Sequence, residues 1–399
     1  MSKDQSDFFK EPTEWAVIKN SLLSCYLVPY FQKILCTRKT INYIDCFAGA
    51  GKFDTGEDGS PLIALKIINN CISKSKFADT NINCIFIEPK VADVLIKNIG
   101  AFNRATVISS KYEDEIKRIL EGKLGENVFL YIDPFGIKSL RYDLYEYYSK
   151  AKFNSIELLI NFNSFGFIRD ACRVMKCPSE QLNIIMQIFQ DYSYKEDVSI
   201  QELDNIAGGN YWRKIIQNYI DKNINCYEAE VQLSDAYCKR LNEHFKYVIN
   251  IPIRLKKGQK PKYRMIHATN NEDGCLLMYE NMCKRWECLS QIQTNGQCSL
   301  FEETPENDMV DEVEIRQKII ELLKNVDNYI HFNEFIAKFV TKNGIICEYS
   351  RFQKIVREME KNAQVLVKRN PALTPTGKTS TFLEEKRSEN HFVEIKVSN

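Results

Sequence analysis

The chain has 399 residues, of which 44% are hydrophobic and 12% aromatic, so it can build sizeable cores and is not a disordered protein. Its 54 basic and 53 acidic side chains nearly cancel, so a nucleic-acid site, if there is one, must be a local feature. We find no apolar N-terminal signal and no apolar span of about 18 residues, which predicts a cytoplasmic protein.

Fourteen cysteines are scattered through strand and helix patterns without the density of a disulfide scaffold, which predicts reduced thiols. Four of the cysteines are candidates for a zinc site: Cys275, Cys283, Cys288 and Cys298. Their spacing contains no Cys-x-x-Cys, and Cys283 and Cys288 fall in a helical pattern. We therefore predict no metal site.

Two helical signals flank the first strand of the chain. Apolar residues recur at helical spacing from Trp15 to Leu35, which predicts an amphipathic helix interrupted or kinked near Pro29. Further on, Ser60 is the predicted N-cap of a second helix, with Pro61 at its first position.

Between these helices, a mostly apolar segment suited to a buried strand ends on Asp45 and is followed by Phe47, Gly49 and Gly51. A strand that stops on an acid and turns through glycine lets a ligand approach the backbone closely. An ordinary strand followed by a glycine turn is the alternative. A phosphate cradle is not indicated, because no Gly-Lys-Ser/Thr follows the glycines.

Two later strands repeat the pattern of an apolar run that ends on a carboxylate, at Glu88 and at Asp133. In a parallel sheet the carboxyl ends of the strands share one edge, where ligands bind and where an acid can hold ribose hydroxyls. Asp45, Glu88 and Asp133 are therefore expected around one nucleoside-shaped, phosphate-free cofactor. S-adenosylmethionine fits that description.

Strands and helices alternate from residue 41 to residue 162, which predicts right-handed βαβ units and an α/β, Rossmann-like doubly wound sheet. Residues 164–245 carry helical patterns without an obvious strand and are interpreted as a helical insertion. A predicted hairpin, 247–254 with 263–269, then closes the sheet. We assign 1–295 to this α/β domain.

The acidic, turn-rich segment 296–312 reads as a linker. Residues 313–399 show three helices followed by a hairpin, 364–369 with 380–383, which is the order of a winged helix-turn-helix. Such domains bind nucleic acid or protein. The basic residues of this one are Arg351, Lys354, Arg357, Lys361, Lys368 and Arg369, and glutamates in the same helix reduce its positive charge.

The segment Asp133-Pro134-Phe135-Gly136 carries the candidate catalytic residues. A carboxylate and a backbone carbonyl can accept both N–H groups of an exocyclic amine, and Pro134 fixes the backbone that presents the carbonyl. Phe135 can stack on a base taken out of its helix or loop. The alternative is a strand-ending acid that caps a turn, with Phe135 in the core.

A second group of candidates lies at the tip of the predicted hairpin. The segment 254–264 has six positive charges and no acid, a composition that suits phosphate contacts as well as a simply solvated turn. The nucleic-acid candidates are Lys256, Lys257, Lys260, Lys262 and Arg264. At the end of the fifth strand, Asn163 and Phe165 are candidates for the opposite wall of the pocket.

Asp133–Gly136 resembles the amino-methyltransferase signature of class I S-adenosylmethionine enzymes, and its Phe-Gly form is similar to that of tRNA guanine N2-methyltransferases. More of the chain resembles the three-Cys-motif partner proteins (TcmP), and the C-terminal part is similar to the winged helix attached to them. The matching segments are 43–51, 59–65, 86–88, 133–136 and 263–270.

The resemblance implies a bacterial or phage protein whose partner bears a three-cysteine iron–sulfur motif, with an expected role in phage defence. It places Asp45, Gly49 and Gly51 at the methionine moiety and Glu88 at the ribose. Such enzymes commonly offer the adenine an acid after the third strand, where this chain has Ser109-Ser110-Lys111-Tyr112. Tyr112 is therefore the candidate for stacking on adenine.

Two functions follow from these residues. The first is an S-adenosylmethionine-dependent methyltransferase acting on an exocyclic amine of a tRNA or DNA base. The second is a non-catalytic partner or sensor protein that keeps the fold and docks the iron–sulfur protein. The departure at Ser109–Tyr112 favours the second, and the three strand-end carboxylates favour the first.

Overall fold

The computed structural model describes residues 13–77, 79–189, 197–253, 261, 263–293, 310–385 and 390–398. The chain divides into two compact units, Met1–Asn270 and Asn271–Asn399. This boundary precedes the one we predicted at 295, because helix Glu272–Gln293 packs within the second unit. Most of the predicted linker, 296–309, lies outside the described residues.

The first unit is built on a seven-stranded, predominantly parallel sheet. Its strand order is β3-β2-β1-β4-β5-β7-β6, in which β7 runs antiparallel to both of its neighbours. The predicted α/β, Rossmann-like class and the closing hairpin agree with this sheet. The strands are β1 Ile41–Asp45, β2 Ile82–Ile87, β3 Ala105–Ile108, β4 Asn127–Ile132, β5 Ser155–Phe162, β6 Tyr247–Ile253 and β7 Tyr263–Thr269.

Helices cover both faces of the sheet. Helix α1, Glu14–Ile34, continues through Pro29 without the predicted interruption and packs its aromatic residues on the face that carries Tyr43 and Phe129. The opposite face, with Ile44 and Leu130, is buried against the helices at 112–121 and 142–150 and those of the insertion. The helices that alternate with the parallel strands are α2 Ser60–Lys74, α3 Ala92–Ile99, α4 Tyr112–Glu121 and α5 Tyr142–Lys150.

The predicted insertion is helical throughout its described part, residues 164–189 and 197–245. It belongs to the main core: the ring of Tyr237 stacks on Phe162 of β5 with centroids 4.3 Å apart, and Trp212 is fully buried against Phe167. Its helices are α6 Ser164–Val174, α7 Ser179–Phe189, α8 Ile200–Ala207, α9 Trp212–Ile220 and α10 Cys226–Leu241.

The second unit has helices on an antiparallel sheet of order β8-β10-β9. Three helices and two longer strands occur in the predicted order, but the second strand is Phe392–Val397 and not 380–383. Val393 and Ile395 alternate with polar residues and are buried, which makes this segment the better strand. The elements are α11 Glu272–Gln293, α12 Glu312–Leu323, β8 Ile330–His331, α13 Phe332–Asn343, α14 Tyr349–Lys361, β9 Val365–Asn370 and β10 Phe392–Val397.

Across the described residues, no helix combines the length and apolar character that a bilayer crossing requires.

Candidate active site at the carboxyl edge of the sheet

Asp45 is the last residue of β1, and Glu88 and Asp133 directly follow β2 and β4; these three parallel strands lie side by side in the order β2-β1-β4. The pKa of Asp45 is raised to about 7, mainly by burial and to a smaller extent by the charges of Asp133 and Glu88. The three acids are therefore close enough to interact at one edge of the sheet. Asp45 and Asp133 stand on either side of the point where the strand order reverses, between β1 and β4.

Asp45 is fully buried and is held by two donors. The hydroxyl of Ser60 donates to its Oδ2 over 2.6 Å, and the backbone N–H of Phe47 donates to its Oδ1 over 3.2 Å. Because the Ser60 hydroxyl is used in this way, it does not cap its own helix. Gly59, and not Ser60 as predicted, is the N-cap of α2.

The glycine turn is tied to Glu88. The backbone N–H of Gly49 donates to Oε2 of Glu88 over 3.0 Å, while Oε1 accepts from the N–H groups of Lys90 and Val91. Both oxygens of this buried carboxylate thus accept hydrogen bonds from backbone N–H groups and hold the two loops in place. Gly49 and Gly51 have φ values of 61° and 76°, the left-handed region that favours glycine.

Asp133 accepts four hydrogen bonds, the full capacity of a carboxylate. Lys19 of α1 donates to Oδ1 over 2.8 Å and to Oδ2 over 2.7 Å. Tyr131 adds a bond to Oδ2, and the Asn161 amide donates to Oδ1 over 2.7 Å. The Oδ1 atom of Asn161 is buried and has no hydrogen-bond partner among the described residues.

Pro134 and Phe135 follow directly. Pro134 is buried, whereas the Phe135 side chain is 47% exposed. The core interpretation of Phe135 is therefore wrong.

Tyr112 does not lie where adenine stacking requires it. Its side chain is only 1% exposed, its hydroxyl is hydrogen-bonded to that of Tyr148 at 2.6 Å, and its ring packs against Phe47 at a centroid distance of 5.2 Å. The prediction for Tyr112 is corrected: it is a core residue. Phe47 is half-buried beside it.

Asn163 and Phe165, which we predicted for the opposite wall of the pocket, have structural roles, and the residue that lies beside Asp133 is Asn161. Asn163 accepts from the N–H of Gly166 as the N-cap of α6, and Phe165 is fully buried. Ile132 pairs with Ile160, so the next residues of the two strands, Asp133 and Asn161, lie side by side. Strand register, which sequence reasoning did not use, could have identified Asn161.

Of the predicted nucleic-acid residues, Lys256, Lys257, Lys260 and Lys262 lie outside the described part of the chain. Arg264 is described, and its role differs from the prediction. Its guanidinium forms a two-bond ion pair with Glu230, with distances of 2.8 and 2.6 Å, and its side chain is 9% exposed. Arg264 therefore joins β7 to α10 and does not belong to an exposed basic tip.

The basic residues of the second unit have mixed surroundings. Arg369 is neutralised by a two-bond ion pair with Glu360, and the Lys368 ammonium lies 3.8 Å from the ring centroid of Tyr329. The exposed charges on α14 are Lys354, Arg357 and Lys361. This unit thus offers a smaller basic face than its sequence suggests.

The thiols of α11 have structural partners. Cys275 donates to the carbonyl of Ala337, and Cys283 donates to that of Cys347. Within the described residues, no group of three or more His, Cys, Asp or Glu side chains is arranged to hold a metal ion. The side chains of Cys288 and Cys298 lie outside the description.

Sequence reasoning missed the polar cluster beneath α1. Tyr26 donates to Oε2 of Glu157 over 2.5 Å, and Nε2 of His267 lies 3.0 Å from the same oxygen. All three side chains are buried. Glutamate and histidine inside otherwise apolar strands are the signal that could have predicted this cluster.

Comparisons with known proteins do not assign the chain to a family. No protein-family model matches it, and no curated protein matches it. Among solved structures, it is similar to the "Putative methyltransferase yhhF" of Escherichia coli at 18% identity over 31% of this chain and 59% of that chain. The TM-score is 0.20, so this likeness carries no argument about function.

Proposed function

We propose that the chain is an S-adenosylmethionine-dependent methyltransferase that acts on an exocyclic amine of a nucleic-acid base in tRNA or DNA. The observation that carries the proposal is the position of Asp45 and Asp133 on either side of the strand-order reversal, with Glu88 on the next strand. In open α/β sheets this crevice is where nucleotide-like ligands bind.

The residues present suit the cofactor and the acceptor. The Gly49–Gly51 turn brings backbone to the edge of the sheet. By the family resemblance, Asp45 would serve the methionine end of the cofactor and Glu88 would accept from its ribose hydroxyls. The buried, unpaired Oδ1 of Asn161 beside Asp133 suits an N–H donor. An amine bonded to Asp133 and Asn161, or to the Pro134 carbonyl, would have both of its N–H groups satisfied.

The cofactor supplies an electrophilic methyl group when it is bound. The protein's task is then one of placement, since the acceptor nitrogen must lie about 3 Å from that methyl with its lone pair aimed at it. Asp133 orients the amine, and Phe135 stacks on the base that carries it. Little general-base help is needed, because the methylated ammonium loses its proton readily after the transfer.

The test uses tritiated S-adenosylmethionine with pooled tRNA and pooled DNA. The Asp133→Ala variant should lose about 100-fold or more of the label transfer. The matched control is Asp143→Ala on α5, an exposed acid that pairs with Arg141, and it should transfer label like the wild type. Measurable cofactor binding without transfer to either pool would contradict the proposal.

A second candidate is a non-catalytic partner or sensor that keeps the methyltransferase-like fold. It is favoured by the burial of Tyr112 and by the fact that Asp45, Glu88 and Asp133 are all hydrogen-bonded by the protein itself. In this function the second unit acts as a winged helix that docks a protein, for which the family resemblance suggests a three-Cys-motif iron–sulfur partner. Calorimetry with S-adenosylmethionine separates the two functions, since an absence of binding eliminates only the enzyme.

A further inference from the structure

Lys19 fills the position that the proposed function gives to the acceptor amine. Its ammonium donates to both oxygens of Asp133, at 2.8 and 2.7 Å. Together with the bonds from Tyr131 and Asn161, these use all four acceptor positions of the carboxylate. An incoming amine can therefore bind Asp133 only when one of the present donors leaves.

Lys19 is the donor that can leave at the lowest cost. Tyr131 is fixed within β4, and the Asn161 amide is buried on β5. Lys19 instead reaches Asp133 from a helix through a long side chain that is 17% exposed at the contact. Without it, Tyr131 and Asn161 still hold the carboxylate in place. Lys19 is thus not needed to position Asp133, but it decides whether the carboxylate has a free position to accept another hydrogen bond.

The paired ammonium is also unsuited to be methylated itself. A protonated lysine has no lone pair, and in both contacts with Asp133 the Lys19 nitrogen is the hydrogen-bond donor. Near Asp133, Lys19 is consequently a competitor of the acceptor and not a substitute for it.

We propose that Lys19 is a specificity-determining residue that competes with the acceptor amine for Asp133. The inference rests on the proposed methyl transfer and narrows its substrate class. Only an amine whose base is also held elsewhere, by stacking on Phe135 or by polynucleotide contacts, has enough binding free energy to displace Lys19. A free nucleoside does not.

The first experiment compares wild type, Lys19→Met and Lys33→Met with tritiated S-adenosylmethionine. Acceptors are pooled tRNA, pooled DNA and free nucleosides. Lys33 lies in the last turn of the same helix and is exposed, so it is the matched control. The apparent affinity of the enzyme for its acceptor falls in proportion to the fraction of molecules in which Asp133 is not occupied by Lys19. Lys19→Met should therefore lower the KM for the polynucleotide about tenfold, with little change in kcat. It should also gain transfer to free nucleosides.

A loss of kcat in Lys19→Met would overturn the proposal, because it would make Lys19 part of the catalytic machinery. An unchanged KM would overturn it as well, since the contact would then be purely structural. A mass gain of one methyl group on Lys19 after incubation with S-adenosylmethionine alone would identify it as an acceptor, which also contradicts competition.

The second experiment does not need transfer, so it separates this inference from the proposed function. The full chain is labelled by reductive dimethylation, and the labelling of Lys19 is compared by mass spectrometry with that of Lys33. Asp133→Asn should raise the labelling of Lys19 alone. Pooled tRNA or DNA should raise it in the wild type by displacing the ammonium from Asp133. Unchanged Lys19 labelling in the presence of both pools would overturn the inference even if methyl transfer were observed.

Discussion

The hydroxyl of Ser60 donates a 2.6 Å hydrogen bond to Oδ2 of Asp45, which joins the first turn of α2 to the end of β1. The bond lowers the pKa of the Asp45 carboxyl, but burial has the larger effect and raises it from 3.8 to about 7. Asp45 therefore keeps a proton in the folded state at pH values where the unfolded chain has released it.

Asp45→Asn should remove a specific pH dependence of stability. Between pH 3.8 and about 7 the native state binds more protons at this group than the unfolded state does, so its contribution to the free energy of unfolding falls as pH rises. Relative to wild type, the variant should gain up to about 1.4 kcal/mol per pH unit across this window. Urea denaturation over a pH series measures the difference, with Asp143→Asn as control. Parallel stability curves for wild type and Asp45→Asn would contradict the assignment.

Gly51→Ala should destabilise the fold more than Gly125→Ala. Both glycines have a left-handed φ, 76° and 77°, so both variants carry the same backbone strain. A Cβ at Gly51 would lie 2.8 Å from Cδ1 of the buried Leu95, whereas one at Gly125 would meet nothing within 4 Å. We expect about 1 kcal/mol of additional loss at Gly51 from overpacking, measured as the difference in free energy of unfolding in urea. Equal losses of unfolding free energy in the two variants would contradict this, because they would show that the Leu95 side chain moves aside without destabilising the fold.

Tyr26→Phe and Tyr30→Phe form a matched pair one turn apart on α1. Tyr26 donates to Glu157, so its loss leaves a buried carboxylate with one donor fewer and should cost about 1.5–3 kcal/mol. The Tyr30 hydroxyl is buried without a hydrogen-bond partner among the described residues, so its removal should be neutral or stabilising. Thermal and urea unfolding of the two variants provide the test. A larger loss in Tyr30→Phe than in Tyr26→Phe would contradict this account of the cluster.

Arg264→Met should cost about 3–5 kcal/mol of stability, because it removes the cationic partner of the buried Glu230 carboxylate. The control is Lys150→Met, which breaks the ion pair with Glu146 on the exposed surface of α5 and should cost less than about 1 kcal/mol. Denaturant midpoints of both variants give the comparison. If Arg264→Met instead kept full stability and lost affinity for nucleic acid, the original prediction for this residue would be restored.

The strand ends were predictable because their signal is local. An apolar run followed by Asp45, Glu88 or Asp133 contains the whole pattern, and a parallel sheet brings the three ends to one edge. Lys19 was not predictable in this way. Several lysines lie near helical segments, and only the packing of α1 on the sheet selects the one that reaches Asp133, far away in the chain.

Two predictions were wrong because they relied on the type of residue and ignored the spacing of apolar residues along the helix or strand. Tyr112 is the first residue of a buried stripe with Ile116, Ile119 and Leu120, and this helical spacing predicts a core residue. The strand Phe392–Val397 alternates apolar and polar residues and could have been preferred over 380–383 on that ground. The ion pair of Arg264 with Glu230 has no local signal, since its partner lies on an insertion helix.

The antiparallel strand β7 completes the pairing of β5, with Phe162 opposite Arg264, although the whole helical insertion separates them in the chain. During synthesis on the ribosome, β5 is therefore made long before the strand that covers its edge. An apolar strand with an unpaired edge is a template for association with other chains. We therefore expect the nascent chain to be prone to association in the interval between the emergence of β5 and that of β7.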